Sequence, residues 1–141
     1  MNQQQIVQTI YNALDQALAG NTDEALEHLD RLGTRLDVNG MYGVCCALAL
    51  AGSKALQRLY GQLPDDAVFA ITELVPGGLQ REPAEAFASR FLVAYANQDR
   101  ATALALHETA VRAGREAYTG SVQALLATVA GVIRIATDDA A

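Results

Sequence analysis

The sequence predicts one all-α domain, a helical bundle of about six to seven helices, and three observations carry that prediction. Apolar residues recur at three- and four-residue spacing through most of the chain. Alanine fills 27 of the 141 positions. Alternating apolar–polar runs long enough to build a sheet are missing, since Val38 and Leu74-Val75 stand in very short apolar stretches. Alanine loses no side-chain entropy in a helix and lets neighbouring helices approach closely, so its abundance favours both the helices and their packing. A chain of this length buries a sound core without staples, so residues 1–141 read as a single domain.

Each element follows from local signals. The first helix is predicted from about Gln3 to Ala19, with Ile6, Ile10, Leu14 and Leu18 on its inner face, and it stops at Gly20. Asn21-Thr22-Asp23-Glu24 has the spacing of a capping box and opens a second helix. That helix turns Ala25, Leu26, Leu29 and Leu32 inward and is predicted to end at Gly33. Asp37-Val38-Asn39-Gly40 reads as a turn. The third helix, about Met41 to Gln62, is apolar nearly all round at its start, which predicts a central position. A short fourth helix is expected over 66–74, and Pro76-Gly77-Gly78 breaks the chain into a midpoint loop near 76–82. Pro83 suits the first position of a fifth helix running to about Asn97. Asp99 is a natural N-cap for the sixth, whose stripe is Ala103, Leu104, His107, Ala110 and Val111. The seventh, about Arg115 to Ala136, carries Tyr118, Val122, Leu125, Leu126, Val129, Val132 and Ile133 on one face. The aspartates beyond it lie at the unfavourable end of the helix dipole and are expected to fray.

Charge narrows the function. The net charge of −6 and a pI near 4.7 argue against nucleic acid, whose binders present basic faces, and against anionic lipid. The weakly charged runs Met41–Ser53 and Ala117–Ile133 fall short of the ~20 apolar residues of a spanning helix. No basic region followed by an apolar segment and a small-residue cleavage site opens the chain, so the expected location is the cytoplasm. Arg81, Arg90, Arg100, Arg112 and Arg115 make the second half more basic than the acidic stretch from Asp15 to Asp37, an asymmetry that bears on docking.

Chemistry-bearing motifs are sparse. Cys45 and Cys46 are adjacent, and in a helix their side chains diverge by about 100°, which opposes an unstrained disulfide. They read as small buried hydrophobes. Glu-x-x-His pairs, a strand-borne glycine loop and a nucleophile elbow are all missing from the sequence, so no metal, cofactor or catalytic residue is assigned. His107 lies on an apolar stripe, the usual place of a core histidine with one satisfied ring nitrogen. His28 sits four residues after Glu24 on a charged face and reads as a solvated pair.

At an offset of 78 residues, Leu14 to Leu29 aligns with Leu92 to His107, and Val44, Leu48 and Ala49 align with Val122, Leu126 and Ala127. A duplication at this offset would give two three-helix halves of one plan, a hairpin followed by a long core helix, though six identities over roughly fifty Ala- and Leu-rich positions do not exceed chance. The turn in Ala19-Gly20-Asn21-Thr22-Asp23-Glu24-Ala25-Leu26 resembles that of a tetratricopeptide hairpin. Thr9 falls where that family has an aromatic and Asp37 where it has a proline, so the resemblance is local. The run Pro-Gly-Gly…Glu-Pro-Ala-Glu-Ala-Phe-Ala-Ser-Arg-Phe-Leu-Val-Ala-Tyr-Ala-Asn, within Ala67 to Ile133, resembles uncharacterised small helical proteins of high-GC actinobacteria. That resemblance implies a fold and no activity.

The resulting functional expectation is a non-enzymatic helical interaction or scaffold module, binding itself as a homodimer or another protein. Tyr11, Tyr42 and Tyr60 are its candidate anchors, because tyrosine is enriched at binding hot spots. The alternative is a small apolar-ligand binder whose pocket lies between the third, fifth and seventh helices. Cys45, Tyr95 and His107 would supply its polar groups.

Overall fold

The computed structural model describes residues 1–61 and 82–140, and all its described elements are helices. They are α1 (Gln3–Leu18), α2 (Thr22–Arg35), α3 (Val38–Tyr60), α4 (Pro83–Ala96), α5 (Arg100–Arg112) and α6 (Arg115–Ala140). The short helix expected over 66–74 and the Pro76-Gly77-Gly78 break lie outside the described residues.

Local chemistry sets the helix ends. α1 starts with a capping box: the Asn2 side chain accepts the Gln5 N–H at 2.8 Å, and Gln5 Oε1 accepts the Asn2 N–H at 2.9 Å. The box expected at Asn21 does not form. Its side-chain amide turns back to Gln16 Oε1 at 2.8 Å, so the cap of α2 has no side-chain bond. α2 also runs through Gly33 to Arg35, because the Leu36 N–H still reaches the Leu32 carbonyl and Gly33 keeps a helical backbone. The turn expected at 37–40 shortens for a related reason. Asp37 accepts the Gly40 N–H at 2.8 Å, which makes Val38-Asn39-Gly40 the first turn of α3. That helix ends at Tyr60 rather than Gln62, with Gly61 at φ +76° leaving the helical region. Pro83 opens α4, and Asp99 caps α5 by accepting both the backbone N–H and the hydroxyl of Thr102. These two bonds hold the exposed Asp99 carboxyl below its usual range. α6 continues four residues past the expected end at Ala136.

Packing places α6, and not α3 alone, at the centre. α6 lies against α1, α3, α4 and α5, while α3 lies against α6 and α4 and more lightly against α1 and α5. α2 packs chiefly on α1. The core joins Leu14, Leu32, Leu48, Phe91, Leu92, Leu125 and Val129 from both halves. Leu104, expected on the inner stripe of its helix, is 44% exposed, since Ala103, His107 and Ala110 already form the buried face of α5.

The 78-residue offset returns in the helix plan. α1 ends at Leu18 and α4 at Ala96, and α2 begins at Thr22 and α5 at Arg100. Buried positions follow it too, with Ala25 matching Ala103, Leu29 matching His107 and Val44 matching Val122. The helix Arg115–Asp138 is long and apolar enough by composition to cross a membrane, which the uncharged run alone did not suggest. Half of its most apolar window is buried against other helices, the situation of a core helix.

Candidate functional site

Helix ends and a tight turn bring the chain's sparse chemistry to one side of the bundle. Gly114, at φ +106°, reverses the chain between α5 and α6 and sets His107 against Tyr118. His107 Nε2 and the Tyr118 hydroxyl lie 2.6 Å apart, and either donates according to the imidazole tautomer. The two rings meet edge to face at 5.3 Å, and Tyr42 of α3 lies over His107 with ring centroids 5.2 Å apart. Tyr42 in turn meets Phe91 edge-on at 6.2 Å, and Phe91 stacks near Phe87 at 5.4 Å. His107 is only 1% exposed, and this burial lowers its pKa against a smaller opposing pull from Glu108.

The thiols join the same cluster. Cys45 is buried beside the Tyr118 hydroxyl, and desolvation pushes its pKa up to about 12. Half-buried Cys46 lies beside the Tyr42 hydroxyl and is also raised by desolvation, although Tyr42 and Arg100 pull it down. Tyr42 rises to about 12, and Tyr118 rises further, each chiefly through burial. The cluster at neutral pH is therefore a set of uncharged thiols, phenols and imidazole. The raised thiols and phenols stay protonated and are not primed as nucleophiles, while the neutral His107 imidazole has its Nε2 engaged by the Tyr118 hydroxyl.

Of the residues singled out in the sequence, the structure brings Cys45 and His107 together through Tyr118. Tyr95 is half-buried and close enough to Tyr42 to influence it. Tyr42 is half-buried in this cluster and is no exposed anchor, because Phe91 and His107 occupy its ring faces. Tyr11 and Tyr60 are exposed, at 57% and 67%. Tyr118 was assigned only to the inner stripe of its helix. The available signal was its place four residues after a turn glycine that His107 precedes by seven.

The clefts lie beside this cluster rather than within it. One of about 390 Å³ opens between α2, the start of α3 and α6, with the Tyr118 ring in its wall. Two others, of about 430 and 450 Å³, border Glu82 and α4. The second of these is closed along one side by Arg134, which donates to the Ala17 carbonyl. Among the described residues, buried Glu85 Oε2 and Ser89 Oγ on α4 and His28 Nδ1 on α2 find no hydrogen-bond partner. His28 is thus half-buried, not the solvated partner of Glu24 its spacing suggested. Among the described residues, no group of three or more His, Cys, Asp or Glu is arranged to hold a metal ion.

Comparison with known families finds no matching family model. No curated protein and no solved structure matches the chain either.

Proposed function

We propose that this chain is a small helical interaction module that self-associates through the outer face of α1. The observation that carries this reading is the composition of that face. Tyr11 and Val7, one turn apart, are 57% and 40% exposed, and the only charged residue in all of α1 is Asp15. A two-fold contact brings one surface patch onto its own copy. Burying the exposed face of α2, with Asp23, Glu24, Glu27, Asp30, Arg31 and Arg35, desolvates six charges. The face of α1 that bears Val7 and Tyr11 carries one, Asp15, a turn beyond Tyr11. Interface cores are depleted of charge and enriched in tyrosine for the same reason.

One helix face buries less than the ~800 Å² per partner of a standard interface, so the expected dimer is weak and concentration-dependent. Sedimentation velocity across a concentration series tests this. Wild type is expected to pass from monomer to dimer with a dissociation constant on the order of 100 μM. Tyr11→Glu is expected to stay monomeric with an unchanged thermal melt, since the residue lies outside the core. A wild type that remains monomeric near ~1 mM, or a Tyr11→Glu chain that dimerises equally, removes the reading.

A further inference from the structure

The cleft between α2, α3 and α6 has a divided lining. Leu29, Met41 and Val122 are buried core residues that form an apolar floor, and the Tyr118 ring stands beside them. The Tyr118 hydroxyl is engaged inward by His107, so the phenol is held in place and offers the cleft its ring. Exposed charges of opposite sign line two walls, Asp30 on α2 and Arg115 in the first turn of α6. Thr34, Thr119 and half-buried Gln123 complete the lining, and both threonine hydroxyl protons are used on their own helices, at the Arg31 and Arg115 carbonyls. Those hydroxyl oxygens therefore face the cleft only as acceptors. The positive end of the α6 dipole adds to Arg115 as a seat for an anion.

A second observation points to the same place. Gly33 lies inside α2, where glycine is the least favourable residue after proline. Its backbone is not left-handed, and a Cβ built there meets no atom within 4 Å, so neither conformation nor close packing requires a glycine. The space a side chain would take belongs to the cleft. Gly43, Gly120 and Gly131 have the same open space at Cβ, so Gly33 bears on the cleft through its place in the lining, whereas Gly52 is a glycine that packing explains.

We infer that this cleft binds a small zwitterion with an apolar side chain, the chemistry of an apolar α-amino acid. The carboxylate pairs with Arg115 at the head of α6. The ammonium pairs with Asp30 and the threonine oxygens, and the side chain lies on Leu29, Met41 and Val122 against the Tyr118 ring. A volume of about 390 Å³ is at the small end of ligand sites and suits a molecule of this size. This site is independent of the α1 face and stands or falls separately from self-association.

Isothermal titration of the full chain with L-phenylalanine and L-leucine tests the inference. For ligands of about ten heavy atoms, a dissociation constant between roughly 0.1 and 1 mM is expected. Asp30→Asn and Arg115→Gln change exposed residues, leave the fold intact, and are each expected to weaken binding by about 10-fold or more. Gly33→Leu is expected to melt at or above the wild-type temperature while losing binding, because its side chain occupies the cleft. Phenethylamine and 3-phenylpropionate, each lacking one charged group, are expected to bind about 10-fold more weakly than phenylalanine. Three outcomes overturn the inference: no binding of either amino acid at about 10 mM, undiminished binding by a folded Gly33→Leu chain, or equal binding of a single-charge analogue.

Discussion

Replacing Gly52 by valine is expected to remove about 3 kcal/mol of stability, the upper range for overpacking a close-packed core. Gly52 sits where α3 meets α4 and α6, and a Cβ there would stand 2.7 Å from Leu92 Cδ1 and 3.2 Å from Val129 Cγ2. Both neighbours are themselves buried, Leu92 and Val129 at 0% exposure. Leu92 Cδ1 is the far end of a flexible side chain, so a single methyl can be accommodated by a rotation. For Gly52→Ala, the helix-propensity gain of about 1 kcal/mol then offsets much of the crowding. Valine adds two branched carbons that cannot rotate away from both helices, and the helices must separate. At this chain length the loss corresponds to a fall in melting temperature of roughly 10 °C. Thermal melts of wild type, Gly52→Ala and Gly52→Val provide the check. A valine variant as stable as the alanine one means that the three helices do not approach as closely as the structure places them.

That glycine marks the boundary of what could be read directly. The six described helices were legible because α1 to α6 each carry an apolar stripe of period 3.6, and three of them, α1, α3 and α5, also take a side-chain N-cap. Asp99, Pro83 and Gly20 each stand where local chemistry demands them. Gly33 was misread as a helix end because a glycine after an apolar run is the usual stop signal, and nothing local reveals that α2 continues. Gly52 drew no notice because close approach is a property of three helices together. The same holds for the site. Cys45 and His107 were identifiable as polar atoms on apolar stripes, yet their link through Tyr118 depends on how the Gly114 turn sets α5 on α6. The facing of Asp30 and Arg115 across a cleft joins residues 85 positions apart in sequence, and no spacing rule reaches across that gap.

His107 gives the sharpest prediction about pH. Its imidazole is 1% exposed, and desolvation holds it neutral at pH values where a free histidine is protonated. The folded pKa therefore lies below the unfolded value of about 6.5. Between those two values the unfolded chain binds a proton that the folded chain does not, so stability rises with pH across that window. The contribution is fully present above about pH 6.5. It is lost as the pH falls toward the lowered folded value, with a slope of at most about 1.4 kcal/mol per pH unit from this one proton. His107→Gln keeps an amide able to bond the Tyr118 hydroxyl and has nothing to titrate. Its stability relative to wild type should stay level above about pH 6.5 and improve as the pH falls below that value. His107→Ala behaves differently, since it leaves a cavity between Tyr42 and Tyr118 and strips the Tyr118 hydroxyl of its partner. A loss of about 3 kcal/mol at neutral pH is expected from those two effects together. Parallel wild-type and His107→Gln stability curves across this range would show that the ring is not held neutral by burial. Such a result would place His107 in contact with water and reopen it as a ligand or a base, whereas diverging curves fix it as the buried support that keeps Tyr118 in position.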